Sequence, residues 1–587
     1  MDDKEKLVGD KKYPLKDLFK KCLKYFKDVR LLVIFALLII LINVGLDIVL
    51  PLLVEQVVDN LQSPENIALK VIITIAISYF AISIINQGFR FLETYLLQKA
   101  GNKVVYNFRV ETFKHIQEMS LDQFEVMPTG SLVTRVCSYT AQLSDLFTNQ
   151  IVNLVRNLIT VIGIFAVMLT ISARLSLIVL AFALVVLIVS IFFRRRTSRL
   201  FRLEKGYISD LNTSLSEDIS GMKIIQIFNQ EDKMKDEYFI KNKRMRDTRY
   251  SMMTAFSIYK PFINFLLYVC TSVVFILGAT FSLSAGAIVA FYLYISKFFN
   301  PIEEICHQYV HIERALTSCE RLFSLLDVSP KVVDKKDAKE VPHFKGKIEF
   351  KNVWFSYDDK NWVLKDVSFV INKGETCAFV GATGAGKTTI FSLLTKAYVP
   401  QKGQILIDDV DINDIKISSL RKGIGQMLQD VFLFSGDIKN NITLFDESFK
   451  DDQIKEACDY VNASHFIEKL DNKINEEVVE RGDNFSQGQK QLLSFARTIL
   501  HKPEILLLDE ATANIDTETE VLIQDSLNKM STLGTMLVVA HRLSTIQHAN
   551  KIICLQHGQI VESGTHEELL KNKNYYYKLY ELQLNRN

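Results

Sequence analysis

The sequence predicts two fold classes in series: an α-helical domain of six transmembrane helices, then an α/β domain built on a glycine-rich strand–loop–helix unit. Three observations predict this. Long apolar runs are confined to the first half of the 587 residues, while the second half has the composition of a soluble protein. Basic residues between those runs alternate with charge-poor loops, as the cytoplasmic and outer loops of a membrane protein do. Finally, Gly381-Ala382-Thr383-Gly384-Ala385-Gly386-Lys387-Thr388-Thr389 fits G-x-x-x-x-G-K-[ST] between a strand-like and a helix-like segment.

The apolar runs are Leu31–Val54, Val71–Phe89, Ile151–Ile171, Leu175–Phe193, Pro261–Leu283 and Ala285–Phe299. A helix needs about 20 apolar residues to cross a bilayer core. Five runs meet that; the sixth is short and contains Lys297, and is counted because an even number fits the charges. The segment between runs two and three carries Lys99, Lys103, Arg109, Lys114 and Arg135; the one between four and five opens on Arg194-Arg195-Arg196. The loops after runs one and five lack such clusters. The N-terminus and the second half are therefore expected in the cytoplasm, and the chain in the cytoplasmic membrane. Both basic segments are poor in Gly and Pro and helical in period. They read as extensions of helices two to five beyond the membrane, with reversals near Met127–Gly130 and Asp218–Met222. The basic stretch before Leu31 reads as a helix on the membrane surface or as a solvated tail.

Polar residues at membrane depth include Asn43, Asp47, Asn86, Gln87, Arg90, Asn153, Arg156 and Asn264. Ionisable groups there point to function by default, but Asp47 and Arg90 suit the water interfaces or a structural pair. Arg156 is open between a substrate contact and a structural role. Tyr79, Tyr268, Tyr292 and Tyr294 could line a pathway or anchor the bilayer surfaces. The interior otherwise reads as mostly apolar.

Composition excludes several classes. Net charge is +2, from 69 basic and 67 acidic residues, so nothing points to nucleic acid. Eight cysteines are scattered without a C-x-x-C pair, which speaks against a disulfide framework and for a reducing compartment. No removable signal peptide is expected. The domains are read as 1–328, a transmembrane domain; 329–346, a charged linker; and 347–587, a nucleotide-binding domain.

In the second half, Thr376–Val380 reads as the strand and Ile390–Ala397 as the helix flanking the loop. Loop N–H groups and the helix N-terminus can cradle phosphate; Lys387 can reach the β and γ phosphates, and the Thr388 hydroxyl can hold Mg²⁺. Ile505–Glu510 reads as a buried parallel strand ending in two carboxylates. There Asp509 can hold Mg²⁺ through water, and Glu510 can orient and deprotonate the attacking water. Thr535–Ala540 reads as a second buried strand, ending at His541, which can contact the γ-phosphate. Tyr357, ending the strand-like stretch that begins at Lys347, could stack on a nucleotide base.

With Asn484-Phe485-Ser486-Gln487-Gly488-Gln489-Lys490-Gln491 added, the sequence resembles the ATP-binding cassette (ABC) family. Tyr357, the phosphate loop, Gln429, the 485–489 stretch, Leu508-Asp509-Glu510, Asp516 and His541 occur in family order. The resemblance covers the whole chain, and the first half resembles the exporter-type membrane domain. It implies ATP and Mg²⁺ as cofactors. It implies hydrolysis with Glu510, His541 and Gln429 as catalytic residues, and metal contacts from Thr388, Gln429 and Asp509. Asp516 and the loop residues would bind nucleotide. Ser486, Gly488 and Gln489 would meet the nucleotide held by a partner. One cassette with six spans implies a half-transporter that dimerises. The usual Leu-Ser-Gly-Gly-Gln is here Phe-Ser-Gln-Gly-Gln, with Gln487 in place of glycine and its backbone freedom. This resembles the weakened-signature subunit of bacterial heterodimeric multidrug exporters, and implies a heterodimer over a homodimer. The cargo implied is an amphiphilic small molecule, a drug or lipid. An exporter-shaped importer of the siderophore type, or an ATP-gated channel or regulatory membrane protein, stays open.

Overall fold

The computed structural model describes residues 13–61, 69–125, 127–358, 360–509, 517–539 and 546–584. They form two compact units, one of residues 1–117 and 127–328, the other of residues 118–126 and 329–587.

Among its described residues the first unit has helices and no strand. After α1 (Leu15–Tyr25) come α2 (Arg30–Leu61), α3 (Leu69–Glu118), α4 (Ile151–Ile171), α5 (Ala173–Ser220), α6 (Glu231–Thr280) and α7 (Ala285–Leu326). Among the described residues, six helices are long and apolar enough to span a membrane; the one opening at Ala285 has the lowest mean hydropathy, 1.2. At 1.5 Å per residue, the 50 residues of α3 and of α6 each extend about 75 Å, against a core of about 30 Å. Charge-rich, glycine-poor sequence therefore continues the helices well past the apolar runs. The reversals fall where Pro and Gly predict them: α3 ends before Pro128, and Gly221 and Phe228–Gln230 separate α5 from α6. Ser172, in extended conformation, makes the tight turn between α4 and α5. Ile162, Ile188 and Ile276 are each more than 60% exposed, as side chains facing lipid would be.

The N-terminal helix departs from the expectation of a membrane-surface helix or a solvated tail. Its apolar face is covered by protein. Leu18 and Cys22 are buried in one cluster with Ala315, Cys319 and Leu322, and Tyr25 stacks on Phe108 at 3.7 Å. Its polar edge is tied down as well, with Lys21 on Asp327 at 2.5 Å.

Among its described residues the second unit holds three sheets. An antiparallel sheet has the order β2 (Trp362–Ile371), β1 (Ile348–Ser356), β4 (Lys402–Ile407), β5 (Val410–Asp411). The central sheet has the order β12 (Gln559–Gly564), β11 (Lys551–Gln556), β3 (Thr376–Val380), β10 (Thr535–Val539), β9 (Ile505–Asp509), β6 (Ile424–Met427). A two-residue pair, β7 (Gly436–Asp437) and β8 (Glu477–Val478), completes it. Strands β3, β9 and β10 are buried along their whole length, which is why they read as unbroken apolar runs rather than alternating ones. Parallel pairing of β10 sets Val539 beside both Phe379 and Asp509, so β3 and β9 end at one level, two strand spacings or about 10 Å apart. Residues 334–340 lie along this unit: Lys335 pairs with Asp414 at 2.6 Å and Lys416 with Glu340 at 3.0 Å.

Candidate nucleotide site and a charged membrane interior

The phosphate loop leaves β3 at Gly381 and enters α8 (Lys387–Leu394), which starts three residues earlier than its apolar period suggests. The loop is close-packed where it needs glycine. A Cβ on Gly381 would lie 2.3 Å from the Leu555 carbonyl oxygen; Gly386 takes φ +99°, and a Cβ there would lie 2.6 Å from Leu364. Ala382, Thr383 and Gly384 are exposed at the loop's crest, while Ala385 is buried beneath. Lys387, only 6% exposed, turns back into the loop and donates to the Gly381 and Ala382 carbonyls at 2.7 and 3.1 Å. Phosphate oxygens are the natural competitors for that ammonium.

Thr388 Oγ1 lies 3.5 Å from Asp509 Oδ1, and Asp509 is 9% exposed at the end of β9. Two hard oxygens from different elements thus meet beside the loop, a donor set that suits Mg²⁺ with its retained waters and nucleotide phosphates. Tyr357, 53% exposed, shares a 3.1 Å hydrogen bond with Thr389, and its ring meets Tyr398 edge-on at 5.0 Å. Gln429 lies exposed two residues past β6. Glu510, Asp516 and His541 lie outside the described residues.

The 485–489 stretch caps a helix. Ser486 is the N-cap of α10 (Gln487–Leu500): its hydroxyl accepts from Gln489 N–H, and the Gln489 side chain accepts from Ser486 N–H at 2.9 Å. Phe485 and Gly488 are buried. Gln487 is the first helical residue and is not among the residues with positive φ. The expectation that the missing glycine costs backbone freedom is therefore corrected; what Gln487 adds is its side chain.

Sequence reasoning missed two residues that hold this region together. Asn441, on α9 (Ile438–Thr443), is 1% exposed and brackets Phe434, accepting from its N–H at 2.8 Å and donating to its carbonyl at 2.7 Å. Arg497, on α10, donates to the carbonyls of Asn441 and Phe432 at 2.9 and 3.3 Å. The segment after Gln429 is thereby fastened to the helix that Ser486 caps. An isolated Asn or Arg carries no sequence signal for such a role.

The membrane unit holds more charge than its apolar runs suggest. Asp47 pairs with Arg90 at 2.7 Å, accepts from Asn86 at 2.9 Å, and its backbone carbonyl accepts from Lys297 at 2.9 Å. Glu93, 2% exposed, accepts from Asn43 at 3.0 Å and pairs with Arg156. Asn157 donates to Glu304 at 3.0 Å, and Lys260 binds Glu303 at 2.7 Å. Asp47 and Arg90 thus form the structural pair, and Arg156 pairs structurally too. Tyr294 is buried and donates to the Ile48 carbonyl at 2.6 Å, whereas Tyr79, Tyr268 and Tyr292 are exposed. Glu93, Glu303 and Glu304 went unread because they lie just past the last apolar residues of their runs.

Comparison with known proteins agrees across both units. Residues 33–302 match the family model "ABC transporter transmembrane region", and residues 364–513 match "ABC transporter". The chain is 35% identical over 572 residues to the putative ABC transporter ATP-binding protein exp8 of Streptococcus pneumoniae, covering 96% of this chain and 97% of that one. It is 36% identical over 541 residues to the probable multidrug resistance ABC transporter ATP-binding/permease protein YheH of Bacillus subtilis, covering 90% and 79%. A solved bacterial Atm1-family ABC exporter with ATP bound superposes with a TM-score of 0.81 over 94% of this chain and 98% of that one, at 24% identity. The chain therefore belongs to the ABC transporter family, as a multi-pass membrane protein with the exporter fold that couples ATP hydrolysis to transport.

Proposed function

We propose that the protein is one half of a dimeric exporter that uses Mg-ATP to move amphiphilic small molecules out across the cytoplasmic membrane. The observation that carries the nucleotide chemistry is the meeting of Thr388 and Asp509 at 3.5 Å beside the buried Lys387. Lys387 exchanges its loop carbonyls for β- and γ-phosphate oxygens, while the N–H groups of residues 381–389 and the start of α8 bind the remaining phosphate charge. Thr388 and Asp509, with Gln429, hold Mg²⁺, which when bound neutralises phosphate charge. Tyr357 stacks on the base. Glu510 orients the attacking water and takes its proton, with His541 beside the γ-phosphate and Asp516 near the nucleotide.

One cassette and six spans in a single chain support half-transporter status, and the multidrug names of similar proteins support an amphiphilic cargo. Ser486, Gly488 and Gln489 then complete the nucleotide site of the partner. Basic residues 194–196 on α5 support a cytoplasmic location for the long helical extensions and the nucleotide-binding domain. The side chain of Gln487 supports a heterodimer, in which the site using this chain's loop and the partner's signature hydrolyses ATP. Phosphate release by the chain purified alone in lipid tests the assembly: vigorous homodimer turnover overturns the heterodimer. Glu510→Gln should abolish turnover and keep ATP binding; persistent turnover removes Glu510 from its role.

A further inference from the structure

We propose that the nucleotide-binding domain carries a second ligand site, for a small organic anion with a flat apolar body, at the edge of its central sheet opposite the phosphate loop. A cavity of about 670 Å³ opens there, a size at which small-molecule sites are found. Strands β3, β9 and β10 start at this cavity: Gly374, Glu504 and Gly534, which line it, precede Thr376, Ile505 and Thr535 by one or two residues. The same strands end beside the nucleotide site. The cavity and the phosphate loop therefore occupy opposite ends of one set of parallel strands.

Its chemistry is two-sided. The floor includes Leu500 and Leu506, 5% and 0% exposed, and Tyr460, whose hydroxyl donates to the Lys529 carbonyl at 2.9 Å and so fixes the ring. The rim carries Lys345, Lys373 and Lys502, from three separate segments, none in an ion pair among the described residues. Two carboxylates face these three ammonium groups, Glu456 and Glu504, and Glu504 is engaged by His343 Nδ1 at 2.9 Å. An apolar floor under a cationic rim selects a ligand with a hydrophobic face and a carboxylate, sulfonate or phosphate at its edge. Ammonium groups on flexible stems act as point charges and do not demand one anion geometry.

The site also sits where occupancy reaches the nucleotide chemistry. Leu500 ends α10, whose other end is capped by Ser486 about 21 Å away. Glu504 immediately precedes β9, whose last residue is Asp509. A ligand bridging Leu500, Lys502 and Glu504 touches the far ends of the two rigid elements that carry these groups, so its binding free energy couples to theirs.

The test uses the full assembly in lipid nanodiscs with Mg-ADP saturating the nucleotide site, 2-naphthoate as probe and 2-naphthylmethanol as its neutral match. Saturation-transfer NMR, corrected with empty nanodiscs, reads binding; phosphate release at saturating ATP reads coupling. Naphthoate should bind and the alcohol bind more weakly. The pair Lys373→Glu and Lys502→Glu should lower naphthoate affinity by about tenfold or more while leaving basal turnover unchanged. The pair Lys373→Gln and Lys502→Gln replaces it if charge reversal impairs folding, and Lys373→Arg with Lys502→Arg should keep binding. Naphthoate should also change turnover in the parent and not in the Glu pair. Absent binding, or equal binding by parent and charge-reversed assemblies, overturns the site; binding that leaves turnover unaltered overturns the coupling. Because binding is read without hydrolysis or transport, a failed exporter reading would not mimic absent binding.

Discussion

The two units treat buried charge by opposite rules. In the nucleotide-binding domain, Lys387 is 6% exposed and is held by the carbonyls of its own loop. Both carbonyls are neutral, and phosphate oxygens can take their place. In the membrane unit, Arg156 is held by Glu93, itself 2% exposed, and Arg90 by Asp47. To leave either partner would abandon a carboxylate at membrane depth, which costs several kcal/mol. The first arrangement is open to a ligand and the second is closed on itself. Ionisable residues at membrane depth thus need not mark the cargo's path, whereas a buried lysine on loop carbonyls marks where an anion arrives.

Breaking the open arrangement should have the largest effect. Lys387→Ala should lower phosphate release by about a hundredfold or more, because a preorganised cation at developing phosphate charge is lost, while thermal stability stays near the parent value. Turnover near the parent rate would show that the loop lysine is not poised for phosphate. In the closed arrangement the order reverses: stability should fall before activity. Arg156→Leu leaves Glu93 charged with almost no access to water and should cost about 3–5 kcal/mol. Glu93→Gln leaves Arg156, which is 39% exposed and keeps some solvent, and should cost about 1–2 kcal/mol. Combining the two should recover most of the larger loss. Thermal inactivation of the purified protein in one lipid mixture would check all three, and a double variant worse than both single ones would refute a self-contained pair.

What was legible in the sequence follows from the same physics. Unbroken apolar runs carry their own signal, so strands β3, β9 and β10 could be read within a residue and the six spans could be located, while the helices run on past the apolar residues. The phosphate loop was legible because its spacing is set by a short, local backbone path. Two kinds of contact were not. The ion pairs join residues far apart in the chain, such as Glu93 with Arg156, and neither residue announces the other. The N-terminal helix has the amphipathic face of a membrane-surface helix, and only the fold decides that Phe108 and Cys319 cover it instead of lipid. Arg497 and Asn441 belong to the first kind, since their partners are backbone carbonyls that sequence cannot identify.

Asp47→Asn should act more weakly than either change to the Glu93 pair. Asp47 is partly exposed, at 27%, its neighbours Arg90 and Lys297 reach more open surroundings, and an asparagine still accepts from Asn86; about 1 kcal/mol is expected. The smallest effect on stability, and the most discriminating, should come from Gln487. Residue 487 already has helical geometry as the first residue of α10, where glycine is disfavoured relative to alanine by about 1 kcal/mol or less. If the signature is weakened by lost backbone freedom, only Gln487→Gly should raise turnover at the site completed by this chain's Ser486. If the side chain is what obstructs, Gln487→Ala should raise it equally, with slightly better thermal stability than the glycine variant. The helical position of residue 487 predicts the second outcome. Measuring phosphate release in the assembly with Glu510→Gln in this chain isolates that site, and a glycine-only gain would show that the N-cap must change conformation when nucleotide is gripped.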